Sequence, residues 1–246
     1  MSFIIKQIFF TSRLPHVTDN LYYTTVLEKG NEIGAVLTMI GDCLLLGVDT
    51  REAVGSLGQY IVSAQKVSYT RIGLAGSFGY VGIPLTAFGF YVLYLMLEKK
   101  DSMLARLYRA SVYGYIALGG AIHIICCYLL TGMKKDLETG TCAEGILTAV
   151  LAEQGGYIVP CFIVFFIFYF MNIITMILLT VKKKTCLPRW MWIINPLTFK
   201  LLFNAIGKLG DSAFLNGLAC SNMSLGGLLI MLAWMICIKR AGKDKA

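Results

Sequence analysis

Residues 157–181 read YIVPCFIVFFIFYFMNIITMILLTV, an uncharged run of 25 residues closed by Lys182, Lys183 and Lys184. A helix of about 20 mainly apolar residues crosses a bilayer core of roughly 30 Å. The stretch therefore predicts a membrane-spanning helix with a basic stop behind it, placed to touch anionic lipid. Outward from it, five further apolar stretches qualify as spans: 33–48, 73–97, 107–130, 190–206 and 214–238. The expected fold is all-α, a single domain over 1–246 built as a bundle of six transmembrane helices. The first and fifth stretches are short. The fifth holds Asn195, Pro196, Lys200 and Asn204, so a re-entrant segment is its alternative reading.

Composition agrees with a membrane protein. Of the 246 residues, 57% are hydrophobic and 15% charged, against about 45–50% and roughly 25% in soluble domains. The net charge of +8 suggests a nucleic-acid module at first sight, but such a module carries its basic residues on a solvated polar face. No nucleic-acid partner is expected. Six spans divide the 22 Lys and Arg into 15 on the side of both termini and 7 on the other. Lys and Arg gather on the cytoplasmic side, which puts both termini in the cytoplasm and the protein in a plasma membrane. The predicted partners are membrane lipids of an anionic inner leaflet. Arg189, Trp190, Trp192 and Trp234 are predicted interface anchors at that level, because indole rings prefer the headgroup region.

The N-terminal arm does not read as a signal peptide, since its apolar run is short, broken by Lys6 and lacks a small-residue cleavage site. Phe3, Ile4, Ile8 and Phe9 form an apolar face suited to lie on the membrane. The connections 49–69 and 133–156 each have room for a short interfacial helix. The eight cysteines include no C-x-x-C pair, so they read as small apolar packing residues rather than a disulfide or zinc framework.

Polar residues at membrane depth are the functional candidates, because an ionisable group there costs a few kcal/mol and needs a partner or a wet cavity. Asp42 lies near the middle of the first span and His123 just past the middle of the third. His123 has Gly119, Gly120, Cys126 and Cys127 as helical neighbours, which leaves room for a close helix. One helix face does not close a metal tetrahedron, and His16 is the only other histidine. Neither a metal nor a cofactor is expected. Pro84 and Pro196 are expected to break the second and fifth spans beside a site, since proline removes a backbone donor and frees a carbonyl. Asn195, Asn216 and Asn222 complete the set of binding and proton-coupling candidates. The tripeptide Pro-Leu-Thr recurs at 84–86 and 196–198, and Leu-Gly-Gly at 118–120 and 225–227. These positions suggest a 3+3 inverted repeat.

Gly41-Asp42, the glycine-rich second span ending near Gly82-Ile83-Pro84, the stretch from Arg109 to His123, Pro188-Arg189-Trp190 and Asn195-Pro196 form a motif set. Together they resemble an uncharacterised family of small bacterial polytopic membrane proteins. The resemblance covers nearly the whole chain. It implies a topology and draws attention to Asp42, His123, Arg189, Trp190 and Asn195, without assigning an activity. The favoured function is a small permease or ligand-binding membrane protein with an Asp42/His123 site for a small-molecule ligand. The alternatives are an intramembrane enzyme acting on a lipid-like substrate, with the same pair as acid and base, and a sensor or accessory subunit of a membrane complex.

Overall fold

The computed structural model describes residues 17–53, 58–95, 97, 102–140, 143–185 and 187–243. Among these it is all-α, with no strand. The helices are α1 (Val17–Leu46), α2 (Gly58–Lys66), α3 (Tyr69–Leu95), α4 (Met103–Glu138), α5 (Ala143–Val181), α6 (Pro196–Gly207), α7 (Ala213–Cys220) and α8 (Asn222–Lys243). A single 3-10 turn, Arg189–Ile193, precedes α6. The apolar arm at Phe3, Ile4, Ile8 and Phe9 lies outside the described residues, as do Cys142 and Cys186.

Among the described residues, three helical stretches, Tyr69–Leu95, Met103–Glu138 and Gly155–Val181, are long and apolar enough to cross a membrane. A fourth crossing is made if α7 and α8 count as one span. The uncharged run in α5 exposes Ile163, Ile167, Phe170, Ile174, Leu178 and Val181. Their spacing of three and four residues puts them on one helical stripe. A continuous apolar stripe of this kind suits lipid rather than water. The connection after the first span does contain a short helix, α2, which buries Val62, Ser63 and Ala64.

Small residues set the tightest crossing. On α1, Asn31, Gly34, Thr38 and Gly41 follow one face, and they meet Gly89, Thr86, Gly82 and Gly79 on the antiparallel α3. A Cβ on Gly34 would lie 2.4 Å from Thr86 N, and one on Gly82 would lie 2.7 Å from Thr38 N. Both are backbone contacts that cannot yield, so only glycine lets the two backbones approach this far. Arg71, near the start of α3, then caps the end of α1. Its Nη2 donates to the carbonyls of Cys43 at 3.0 Å and Gly47 at 2.9 Å, and its Nε to Leu44 O. The last carbonyls of a helix have no internal donor and attract a cation.

The structure corrects the expectation that Pro84 breaks the second span. Pro84 lies inside a continuous α3. The carbonyl it deprives of a donor, that of Tyr80, abuts Gly120 of α4, where a Cβ would sit 2.7 Å from the oxygen. The neighbouring helix thus covers the freed group, and no break results. Pro196 is the first residue of α6, a position where a missing N–H costs nothing. The two Pro-Leu-Thr tripeptides therefore occupy unlike positions, one within a helix and one at a helix start.

A further break falls in the sixth stretch, 214–238, which contains no proline. There α7 and α8 meet at Ser221 with a bend of 64°. The local sequence explains it. Ser221 Oγ donates to Gly217 O at 2.8 Å, Ser224 Oγ is 3.1 Å from Ser221 O, and Asn222 Nδ2 donates to Ala219 O. Three side chains in four residues compete for helix carbonyls, which bends or stops a helix.

The fifth stretch, 190–206, is a 3-10 turn followed by the 12-residue α6. That helix rises about 18 Å at 1.5 Å per residue, short of a roughly 30 Å core. The chain from Met191 to Asp211 nevertheless joins two ends of the bundle. Met191 packs with Leu93, Tyr108 and Leu179 at one end, and Asp211 O accepts from Thr50 N at 3.0 Å at the other. Trp234 is also corrected as an interface anchor. It is 2% exposed and makes an edge-on contact with Phe90 at 6.3 Å. Trp190 and Trp192 are exposed.

Candidate functional site

The glycine seam prepares a place for His123. A Cβ on Gly79 would lie 2.0 Å from the imidazole Cδ2, so the ring lies against bare backbone. On the same face of α4, Gly119 and Gly120 admit Ile83 and Tyr80, bringing α4 close enough for the ring to reach α3. His123 Nε2 is 3.1 Å from Ala75 O. A carbonyl only accepts, so Nε2 carries the proton of that bond. The other nitrogen, Nδ1, faces Asp42 Oδ1 at 3.7 Å, within ion-pair range but longer than a direct hydrogen bond.

Asp42 comes from α1, one residue beyond Gly41. A Cβ on Gly41 would meet Ala75 O at 2.9 Å, which explains the value of the Gly-Asp order. The glycine seats the helix and the next residue presents its carboxylate. The second oxygen, Oδ2, lies 3.0 Å from Ser224 Oγ. Ser224 belongs to the first turn of α8, whose N-terminal dipole favours negative charge. The elbow is braced on α1 as well. Cys43 Sγ and Ser221 Oγ are 3.3 Å apart, and Ser221 Oγ is 3.4 Å from Met39 O. Asp42 is therefore held between three helices, with His123 on one oxygen and the start of α8 on the other.

A pocket of about 200 Å³ opens beside this pair. Asp42 and Thr38 line it from α1, His123, Tyr115 and Cys126 from α4, and Cys220, Met223 and Ser224 from the elbow. From α5 the lining is Phe162, Phe165 and Phe166. The wall is mostly apolar and aromatic, and it contains no Lys or Arg.

Of the residues singled out in the sequence, Asp42 and His123 meet at this pocket, and the others have separate places. Pro84 lies between the lining residues Ile83 and Thr86 but is not itself part of the wall. Asn195 is a joint between helices. Its Oδ1 caps α6 through Leu197 N at 2.9 Å and Thr198 N at 3.2 Å, while its Nδ2 donates to Trp192 O at 2.9 Å. Pro196 belongs to the same joint. Asn216 ties the α6–α7 turn to the end of α1, donating to Val48 O and Thr50 Oγ1, both at 2.8 Å. Asn222 shapes the elbow. Among the described residues no group of three His, Cys, Asp or Glu side chains is placed to hold a metal ion.

Sequence reasoning did not pick out Ser224 as the carboxylate's partner or the phenylalanines as a wall. The wall had a signal. Phe162, Phe165, Phe166 and Tyr169 recur at three- and four-residue spacing, which places them on one helix face. Ser224 had none, since its meeting with Asp42 depends on the bend at Ser221.

Residues 32–241 match a family of unknown function, DUF6796. The chain belongs to that family. No curated protein and no solved structure matches the chain. In this DUF6796 protein the family match takes in the whole pocket, from Thr38 to Ser224.

Proposed function

We propose that this DUF6796 protein is a small permease that binds a ligand inside the membrane and couples its movement to a proton. The observation that carries the reading is Asp42 and His123 meeting at 3.7 Å on the wall of a pocket beside a bent helix pair. Nε2 is committed to Ala75, so the position open to a second proton is Nδ1, facing the carboxylate. The pair then acts as one proton store. A proton on either member leaves the site neutral, and its loss leaves a carboxylate charge that burial makes costly unless another cation arrives. Carboxylate–histidine sets of this kind serve as proton relays in transporters, and a helix interrupted at mid-membrane is a frequent place for a transported ligand.

The proposed setting is a cell membrane crossed six times, with both termini in the cytoplasm and the basic segment 182–184 against anionic lipid. Support comes from the 15-to-7 division of cations and from the chain between Met191 and Asp211, which links the core around Leu93 to the turn at Thr50. An intramembrane enzyme is less favoured. Ser224 Oγ is bonded to Asp42 and Ser221 O rather than to His123, so Ser224 is not presented to the imidazole as a nucleophile.

The test is proton flux into proteoliposomes loaded with a pH-sensitive dye. The parent protein should dissipate an imposed pH gradient, and Asp42→Asn should abolish that flux while keeping the parent's melting temperature within a few degrees. Equal flux in the two proteins would refute the reading. Reporter tags at the C-terminus and at residue 184, both protected from outside reagents in intact cells, would support the topology.

A further inference from the structure

Resting on that reading, we infer that the ligand of the Asp42 pocket is a small organic cation, an amine with an aromatic or compact apolar body. The chemistry of the wall selects it. Among the lining residues Asp42 is the only acid, and Lys and Arg are absent, so the wall holds no permanent cation to draw an anion, and His123, when protonated, already faces Asp42. The α5 side offers Phe162, Phe165 and Phe166, and α4 adds Tyr115, whose ring centroid lies 5.6 Å from that of Phe165. Aromatic faces attract cations and accept apolar bodies. A carboxylate hydrogen-bonded at one oxygen by Ser224 retains acceptor capacity for an ammonium.

Size narrows the class. A dry cavity of about 150 Å³ accepts benzene, so a pocket of about 200 Å³ suits a single ring bearing a short amine. A phospholipid headgroup supplies an ammonium too, but it brings a phosphate, for which the pocket lining offers no Lys or Arg. The free amine is therefore the source assigned.

This ligand also accounts for exchange with a proton. The titratable groups facing Asp42 are His123, Tyr115, Cys126 and Cys127 from α4, Cys220 from α7, and its neighbour Cys43 on α1. The lining residues from α3, α5 and α8 include none. An ammonium beside the carboxylate takes the place of the proton that Asp42 and His123 share. One positive charge enters and one leaves, and the site stays neutral.

The experiment is thermal melting of the full-length protein in nanodiscs, titrated with benzylamine, benzyl alcohol, benzoate and phosphoethanolamine. Benzylamine should raise the melting temperature saturably, with release of protons to a weakly buffered solution, and the other three should do so weakly or not at all. Asp42→Asn should weaken benzylamine at least about tenfold, the scale of one charge-assisted hydrogen bond, and Phe165→Leu should weaken it several-fold. Selectivity of the parent protein needs no variant, so a misfolded mutant cannot decide the matter. Benzyl alcohol or benzoate binding as tightly as benzylamine would overturn the assignment, and so would the absence of any binding. Phosphoethanolamine binding as tightly would overturn the free amine in favour of a headgroup. Proton flux separates the two levels. If flux still depends on Asp42 while benzylamine shows no preference, the cation assignment fails alone. If benzylamine binds through Asp42 but flux ignores that residue, the proton-coupled reading fails instead.

Discussion

Asp42 and Asp49 lie on the same segment of chain and each faces a basic partner, yet the two pairs are opposites. Asp49 meets Arg51 at 2.6 Å in a turn beyond the end of α1, where the arginine is 78% exposed. Asp42 meets His123 at the longer distance of 3.7 Å, with side-chain exposures of 15% and 6%. The closer pair does less. Water screens an exposed pair and its side-chain ordering costs entropy, so such bridges contribute little to stability. Inside the bundle screening is weak, and a change of one proton alters the net charge of a desolvated site. The depth of the pair, more than its separation, makes the Asp42 position a candidate for work.

Substitutions can break or sharpen this contrast. The largest effect is expected at Gly79, which touches neither acid. Gly79→Ala places a methyl 2.0 Å from the His123 ring, and overpacking of this kind costs about 1–3 kcal/mol. Thermal unfolding in detergent should show that loss, and proton flux should fall with it because the ring is pushed from Asp42. Unchanged stability would mean that the ring is not pressed on α3. Next comes Ser224→Ala, which removes one hydrogen bond to the buried carboxylate. Bonds between membrane helices contribute about 0.6 kcal/mol on average, so a loss of about that size is expected by chemical denaturation, together with a displaced pH profile of flux. A pH profile identical to the parent's would detach Ser224 from the site.

The smallest effect belongs to Asp49. Hydrogen bonds from Arg51 hold its carboxyl at about 2, below the ordinary 3.8. A carboxyl lowered in this way favours the folded state above its ordinary value, and the contribution fades as pH falls through about 2. Asp49→Asn should therefore lower the melting temperature at neutral pH only slightly, because the pair is exposed, and that small difference should vanish as pH falls through about 2. A clear drop at neutral pH would show that the turn matters more than its exposure suggests.

The same contrast explains what could be read from the sequence. The uncharged run of α5 and the glycine-rich α3 announced apolar helices, because hydropathy and length depend on the local chain alone. Asp42 and His123 stood out because ionisable groups are costly at that depth. Other features depended on neighbours. Pro84 looked like a break, but Gly120 covers the carbonyl it frees. Trp234 looked like an interface anchor, but the bundle end around Phe90 and Tyr108 has a place for a whole indole. The break at Ser221 comes from hydroxyl and amide groups turning back on their own helix, a competition that composition does not reveal. Asn195 and Asn216 were singled out as polar residues in apolar runs. They are that because each closes a joint, one at the start of α6 and one at the end of α1.

The central claim is that Asp42 and His123 hold one mobile proton between them. Infrared difference spectroscopy of the protein in lipid, recorded between two pH values at which it stays folded, reads that proton at the carboxyl stretch. The account predicts a carboxyl band that changes with pH, disappears in Asp42→Asn, shifts in His123→Gln and is untouched in Asp49→Asn. A band that ignores His123→Gln, or that survives loss of Asp42, would contradict it.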